Sequence, residues 1–181
     1  VATSDLTVLI EGEVGVGKKL VAKTIHDFSN RKTGPFNSIN IAGLDAKDIE
    51  IALLGDGNSR HGILHNSEGG TLLIDGVDDA ALLTQARLLS ILTDTPNFDV
   101  RLLFTSTNDL RDLVGQNLFR DDLYHLINVV TIKVPALRDR VSDIGDLARL
   151  FLARAAKEGL SEKILDKGAI EELETWVWPG N

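Results

Sequence analysis

Glycines and a lysine near the start of the chain have the spacing of a phosphate-binding loop. Gly12 and the pair Gly17-Lys18 are separated by four residues, after the apolar run 7–10 and before a helical pattern. Backbone N–H groups of such a loop wrap a nucleotide's phosphates, and the lysine ammonium reaches the outer ones. The helix that follows adds its positive end. A glycine-rich turn that binds nothing is the alternative, which the flanking strand and helix disfavour.

The predicted ligand of this loop is a nucleotide, and one residue departs from the general motif. Position 19 is lysine, where the motif has the serine or threonine that ligates magnesium. A magnesium ion must then be held another way or weakly. The predicted nucleotide-binding residues are Gly12, Glu13, Val14, Gly15, Val16, Gly17, Lys18 and Lys19.

A carboxylate ends a later apolar run, Thr71 to Asp75. Such a run is typical of a buried parallel strand, and Asp75 is where a P-loop protein holds its magnesium. Hydrolysis also needs a group that activates water, commonly a glutamate directly after that aspartate, but here Gly76 follows. Asp78 and Asp79 could substitute, although the preference of aspartate for N-caps favours a role in capping the next helix.

Asn108 is the remaining polar candidate of the core. It follows Thr107 after the apolar strand 102–104, beside the expected position of the γ-phosphate. Its amide could sense that phosphate, or it could form an Asx-turn with its own backbone. The sequence leaves both interpretations open.

The composition narrows the classes of function. The formal charge of −8 argues against nucleic-acid binding through a broad basic face. The absence of cysteine excludes a disulfide framework and a cysteine-based zinc site, and it fits a cytoplasmic protein. No apolar stretch approaches the length of a membrane span, so no membrane contact is expected.

Strand and helix patterns alternate along the chain, which predicts an α/β fold with a parallel sheet covered by helices. After Pro135 the pattern becomes purely helical, at 141–158 and 167–176. We therefore expect an α/β core over residues 1–135 and a small helical lid over 136–181. Predicted core strands are at 7–10, 36–41, 71–75, 102–104 and 127–134; predicted helices follow the loop and span 45–54 and 78–92, with a loop at 55–68.

Several segments together resemble the central AAA+ ATPase domain of bacterial enhancer-binding proteins, the activators of RNA polymerase that contains sigma-54. The match covers nearly the whole chain, and its segments occur in one order: 12–18, 69–75, 107–110, 119–124, 128–130, 135–140 and 178–181. The resemblance implies a P-loop core with a lid, ATP or ADP with Mg²⁺, and a self-associated ring, hexameric or heptameric. It further implies sigma-54 holoenzyme as a partner, and a parent protein, such as a two-component regulator, whose separate domain binds DNA.

The chain departs from this family at several functional positions. The family's Asp-Glu pair appears as Asp75-Gly76, and its GAFTGA loop, which touches sigma-54, is absent between Gly55 and Gly69. A second family insertion is shortened to residues 94–99. Of two arginines that act across the subunit interface, the resemblance assigns Arg120 as one, whereas Leu126 replaces the other. From the charge pattern alone, Arg120 could instead pair with a neighbouring aspartate.

Three hypotheses follow. The first is an ATP-binding AAA+ domain in which hydrolysis and sigma-54 contact are impaired, and we favour it because the glutamate, the GAFTGA loop and one arginine are all missing. The second is a fully active sigma-54-activating ATPase whose mobile loops are missing from the sequence. The third is an interaction module with a vestigial nucleotide site.

Overall fold

The structure is a computed structural model that describes residues 1–57, 61–94 and 98–181. Residues 58–60 belong to the segment where the GAFTGA loop is expected, and residues 95–97 belong to the second shortened insertion. Those parts of both predictions therefore lie outside the described residues. The chain forms two compact units: residues 1–12 with 17–134, and residues 13–16 with 135–181.

The first unit is built on a five-stranded sheet in which every neighbouring pair is parallel. The spatial order is β2-β3-β4-β1-β5, so the chain crosses over between non-consecutive neighbours. The α/β fold class expected from the alternating pattern is confirmed. The strands are β1 (Val8–Glu11), β2 (Phe36–Asn40), β3 (Thr71–Asp75), β4 (Arg101–Ser106) and β5 (Val130–Lys133).

The central strands are buried on both faces, which explains their continuous apolar runs. Successive side chains point to opposite faces, so Val8 and Ile10 pack in one cluster with Ala22 and Ile25 of the first helix. Leu9 packs in the other cluster, with residues of β3, β4 and the helices on that face. Helices on both faces thus hold the carboxyl ends of the strands at one edge of the sheet.

The described residues of this unit form six helices, and three local expectations need correction. The predicted loop 55–68 contains a short helix, Ile63–Asn66, and two further helices, Leu110–Gly115 and Asp121–Ile127, lie between β4 and β5, where the sequence pattern predicts none. The helix predicted from residue 78 begins at Leu82, because Val77–Asp79 form a 3-10 turn and Ala80 is extended. The helices are α1 (Lys18–Asp27), α2 (Ala46–Leu54), α3 (Ile63–Asn66), α4 (Leu82–Asp94), α5 (Leu110–Gly115) and α6 (Asp121–Ile127).

The second unit contains two longer helices, α7 (Ile144–Lys157) and α8 (Lys167–Thr175). Both were predicted from their helical periodicity. Asp166 caps the start of α8, where its carboxylate accepts a hydrogen bond from the backbone N–H of Ala169 at 2.7 Å. In the described parts of the chain, no helix is both long and apolar enough to cross a membrane.

Candidate functional site

In the first unit, polar residues lie along the edge of the sheet that is formed by the carboxyl ends of the strands. Asp75 ends β3 and is paired in register with Asn40, which ends β2. Ser106 ends β4 and is paired with Glu11, which ends β1. In open α/β sheets this edge is where ligands bind.

The start of α1 is suited to bind an anion. Gly17 precedes the helix with φ 98°, a left-handed conformation that favours glycine, and it has no side chain to cap the helix. The first N–H groups of a helix lack partners within the helix, and they point along its positive end. The second motif glycine is therefore required by the backbone, as the phosphate-loop interpretation expects.

Lys18 is the first residue of α1, and its ammonium is directed to the sheet edge. Its Nζ donates to the backbone carbonyl of Gly12 at 2.5 Å and lies 3.5 Å from Thr107 Oγ1. Burial lowers the pKa of Lys18, an effect that the negative charges of Asp78 and Asp75 oppose. A partly buried ammonium beside the helix start is the arrangement that binds a phosphate as a point charge.

Asp75 is fully engaged with protein donors. Its Oδ2 lies 3.0 Å from Lys19 Nζ and accepts from Asn40 Nδ2 at 3.3 Å, while its Oδ1 accepts from Thr105 Oγ1. Magnesium requires oxygen ligands in near-ideal octahedral geometry, but position 19 supplies an ammonium and position 76 supplies no side chain. Among the described residues no group of three or more His, Asp or Glu side chains could hold a metal. A divalent cation at Oδ2 of Asp75 would therefore have to displace the Lys19 ammonium.

Asp78 does not cap α4, contrary to the interpretation favoured from the sequence. Its Oδ2 accepts from the backbone N–H groups of Thr107 and Asn108, both at 3.0 Å, and from Asn108 Nδ2 at 2.8 Å. The other oxygen, Oδ1, is buried without a hydrogen-bond partner among the described residues. Asn108 is therefore joined to the segment after β3. Its amide is held by Asp78, and its role toward a phosphate stays a prediction.

Arg120 lies immediately before α6 and is paired within its own chain. Its Nε and Nη2 donate to the two carboxylate oxygens of Asp122 at 3.0 and 2.6 Å, the pairing that the charge pattern allowed. This hydrogen bonding raises the pKa of Arg120. Both side chains are partly exposed, so the ion pair contributes little to stability. Arg120 can therefore exchange Asp122 for another anion.

Residues 13–16 of the phosphate loop belong to the second unit, where they contact the end of the chain. Glu13 accepts from Arg138 Nη1 at 2.9 Å and from Asn181 Nδ2 at 3.2 Å, and the Arg138 hydrogen bonds lower the pKa of Glu13 to about 2. Asn181 Nδ2 also donates to the Val14 carbonyl at 2.9 Å. Val16 is buried, and Gly15 lies so close to the Gly180 carbonyl that a Cβ there would be 2.1 Å from its oxygen.

Three residues of the site region were missed by the sequence reasoning. Thr105 and Asn40 both bond Asp75, and the signal for them was their place at the carboxyl ends of neighbouring strands. Gln85 is fully buried in α4; it donates to the carbonyls of Ala80 and Leu118 and accepts from the Arg120 N–H. It therefore fixes the backbone at Arg120, and no local pattern indicated this.

The sheet order and the loop before α1 define a P-loop NTPase fold of the AAA+ type. The solved P-loop NTPase domain of the Sigma-54 transport activator from E. coli is similar in fold, with a TM-score of 0.54 and 21% identity over 75% of this chain and 87% of that one. The Sigma-54 interaction domain family matches residues 1–133. The chain belongs to this family, as the resemblance predicted.

Two further comparisons agree with this assignment. The DNA-binding transcriptional regulator NtrC of Bradyrhizobium sp. (strain RP501 Parasponia) is 42% identical over 98% of this chain and 41% of its own length. The structure of NtrX from Brucella abortus in complex with ATP has a TM-score of 0.90 and 33% identity, covering all of this chain and 45% of that one. The chain thus spans about two fifths of the length of the curated relatives it matches. The NtrC alignment runs over 196 residues, so that relative has residues without a counterpart among these 181.

Proposed function

We propose that this chain is the ATP- and ADP-binding AAA+ domain of a bacterial sigma-54-type transcription regulator, with a core at 1–135 and a lid at 136–181. The observation that supports nucleotide binding is the position of Lys18 at the open start of α1, beside the polar edge of the sheet. The loop Gly12 to Lys19 is the proposed phosphate-binding segment. Binding of ATP and ADP by the similar NtrX is consistent with this proposal.

We further propose that hydrolysis is slow. Gly76 stands where the family has its glutamate, and its φ of 73° is left-handed, so a glutamate could not simply be placed on this backbone without strain. Arg120, the proposed trans-acting residue, is paired with Asp122, and Leu126 supplies no second positive charge. The proposed phosphate sensor is Asn108, whose amide would have to leave Asp78 to contact a phosphate. A missing general base and a missing interface arginine each reduce a rate by orders of magnitude.

The proposal also includes a weakened contact with sigma-54. Gly55 and His61 form an antiparallel bridge, and the Gly62 N–H donates to the Leu54 carbonyl at 3.2 Å. Five residues of sequence separate these two positions, fewer than the six of the family's GAFTGA hexapeptide. The sequence contains no GAFTGA hexapeptide.

The remaining partners are inferred from the family. The proposed assembly is a ring of copies of this chain, hexameric or heptameric, in which Arg120 approaches the neighbouring site. The proposed target in the cytoplasm is RNA polymerase holoenzyme with sigma-54. DNA would be bound by a separate domain of the parent protein, because this chain has a net charge of −8.

A phosphate-release assay tests the proposal at saturating ATP. We expect turnover at least about 100-fold below that of a relative with the Asp-Glu pair and both arginines, assayed beside it, since one general base contributes about 10²–10⁴. Equal turnover, abolished by Lys18→Ala, would instead support the fully active ATPase. Absence of ATP binding would support the vestigial site.

Any slow turnover that remains is expected to depend on Asp78. Its buried Oδ1 has no protein partner in the described part of the chain, and its Oδ2 is held by three donors. It is therefore the best-positioned carboxylate to accept a proton in place of the missing glutamate. Asp78→Asn should abolish the residual rate, whereas an unchanged rate would exclude this role.

A further inference from the structure

The feature that neither the family nor the proposed function explains is the lysine at position 19. In the first turn of α1, Lys19 follows Lys18, and its Nζ lies 3.0 Å from Oδ2 of Asp75. The Asp75 side chain is only 14% exposed, whereas that of Lys19 is 63% exposed. The ammonium therefore reaches from the helix surface to the carboxylate that was expected to bind magnesium.

The charges at this site differ from those of a metal-dependent P-loop. In such loops a serine or threonine and an aspartate hold Mg²⁺, and the metal neutralises charge on the phosphates. Here a cation stands at position 19, where the general motif has that hydroxyl and where this family usually has a glutamate, and the residue after Asp75 has no side chain. The chain itself thus supplies a second positive charge, adjacent to Lys18, at the place of the metal.

The neighbours of Asp75 reinforce this pairing. Thr105 Oγ1 donates to Oδ1 and also accepts from the Gly76 N–H at 3.1 Å, while Asn40 donates to Oδ2. These bonds orient the carboxylate so that Oδ2 faces Lys19. A second cation at Asp75 would have to displace the ammonium and would be repelled by it.

We propose that Lys19, paired with Asp75, takes the place of the magnesium ion, so that this site binds the triphosphate of ATP without a divalent cation. This inference rests on the proposed nucleotide-binding function. Because a lysine ammonium is a compact point charge with three donors, it can bond Asp75 and a phosphate oxygen at once.

Calorimetric titration of the 181-residue chain with ATP tests the inference, once with excess Mg²⁺ and once with EDTA. The dissociation constant measured in EDTA is expected to be at most about threefold higher than the one measured in Mg²⁺. Binding that Mg²⁺ strengthens by more than about threefold would overturn the inference and leave the proposed nucleotide binding intact. Absence of binding in both buffers would overturn the proposed function itself.

Two variants at position 19 test the residue directly. Lys19→Thr restores the motif hydroxyl, so in EDTA it should bind ATP at least about fivefold more weakly than the unmodified chain, the lower limit for one lost charge pair. Lys19→Arg keeps the charge and should retain binding in EDTA. If Lys19→Thr is folded by circular dichroism and binds ATP as tightly as the unmodified chain in EDTA, the inference fails.

Lys23→Thr is the matched control. Lys23 lies on the same helix and its ammonium is paired with Asp27 at 2.6 Å rather than with the site. This variant removes the same charge and should leave the ratio of the two dissociation constants unchanged. A ratio altered equally by Lys19→Thr and Lys23→Thr would show a general charge effect and would also overturn the assignment to Lys19.

Discussion

Replacing Asp78 with alanine should destabilise the protein by removing three hydrogen bonds to one carboxylate oxygen. Hydrogen bonds to a charged group typically contribute about 1.5–3 kcal/mol each. The three donors, two backbone N–H groups and the Asn108 amide, lie at exposed positions where water can replace part of the loss. We therefore expect a total cost of about 1–3 kcal/mol. For a chain of this size that lowers the melting midpoint by about 2–12 °C.

Asp79→Ala is the internal control. Its thermal unfolding is measured in the same way, with circular dichroism as the signal. Asp79 is exposed and begins neither α4 nor another helix. Its replacement should change stability by no more than about 0.5 kcal/mol. The capping interpretation predicts comparable costs for the two aspartates. Equal shifts of the melting midpoint for Asp78→Ala and Asp79→Ala would therefore refute a stabilising role for the hydrogen bonds that Asp78 accepts from Thr107 and Asn108.

Three further predictions concern stability, measured by urea unfolding. Burial lowers the pKa of His26, so the unfolded chain takes up its proton first, and stability should fall as pH drops below about 6.5; His26→Gln should reduce this pH dependence. Gly76→Ala should cost about 1–2 kcal/mol because φ is left-handed there, whereas Gly115→Ala in α5 should not destabilise. Gln85→Leu leaves one buried and two partly buried backbone groups without their Gln85 partner and should cost about 2–4 kcal/mol; a cost below about 1 kcal/mol would contradict the assigned bonds.

The sheet was predictable because burial on both faces leaves a local signature. Strands β1 and β3 are continuous apolar runs whose side chains fill both clusters. The start of α4 was not predictable in the same way. Asp78 resembles a helix cap locally, but its partners are 29 and 30 residues later in the chain. A local pattern cannot indicate which of two competing hydrogen-bonding roles a carboxylate takes.

The candidate site was predictable as a list of residues but not as a set of contacts. The motif spacing identified Lys18, and the strand end identified Asp75. The sequence marked Lys19 as a departure and Asp75 as a metal ligand, yet it gave no sign that the two side chains pair. Their contact depends on how α1 leaves the loop and on the register of β3, which the sheet as a whole determines.

The central claim is that the loop before α1 binds the phosphates of ATP with the help of Lys18, and calorimetric titration of Lys18→Ala with ATP tests it most directly. The account predicts saturable binding of one ATP per chain, weakened at least about tenfold in Lys18→Ala and unchanged in Lys23→Ala, with both variants folded by circular dichroism. An unmodified chain that does not bind ATP, or a folded Lys18→Ala variant that binds it as tightly, would contradict the account.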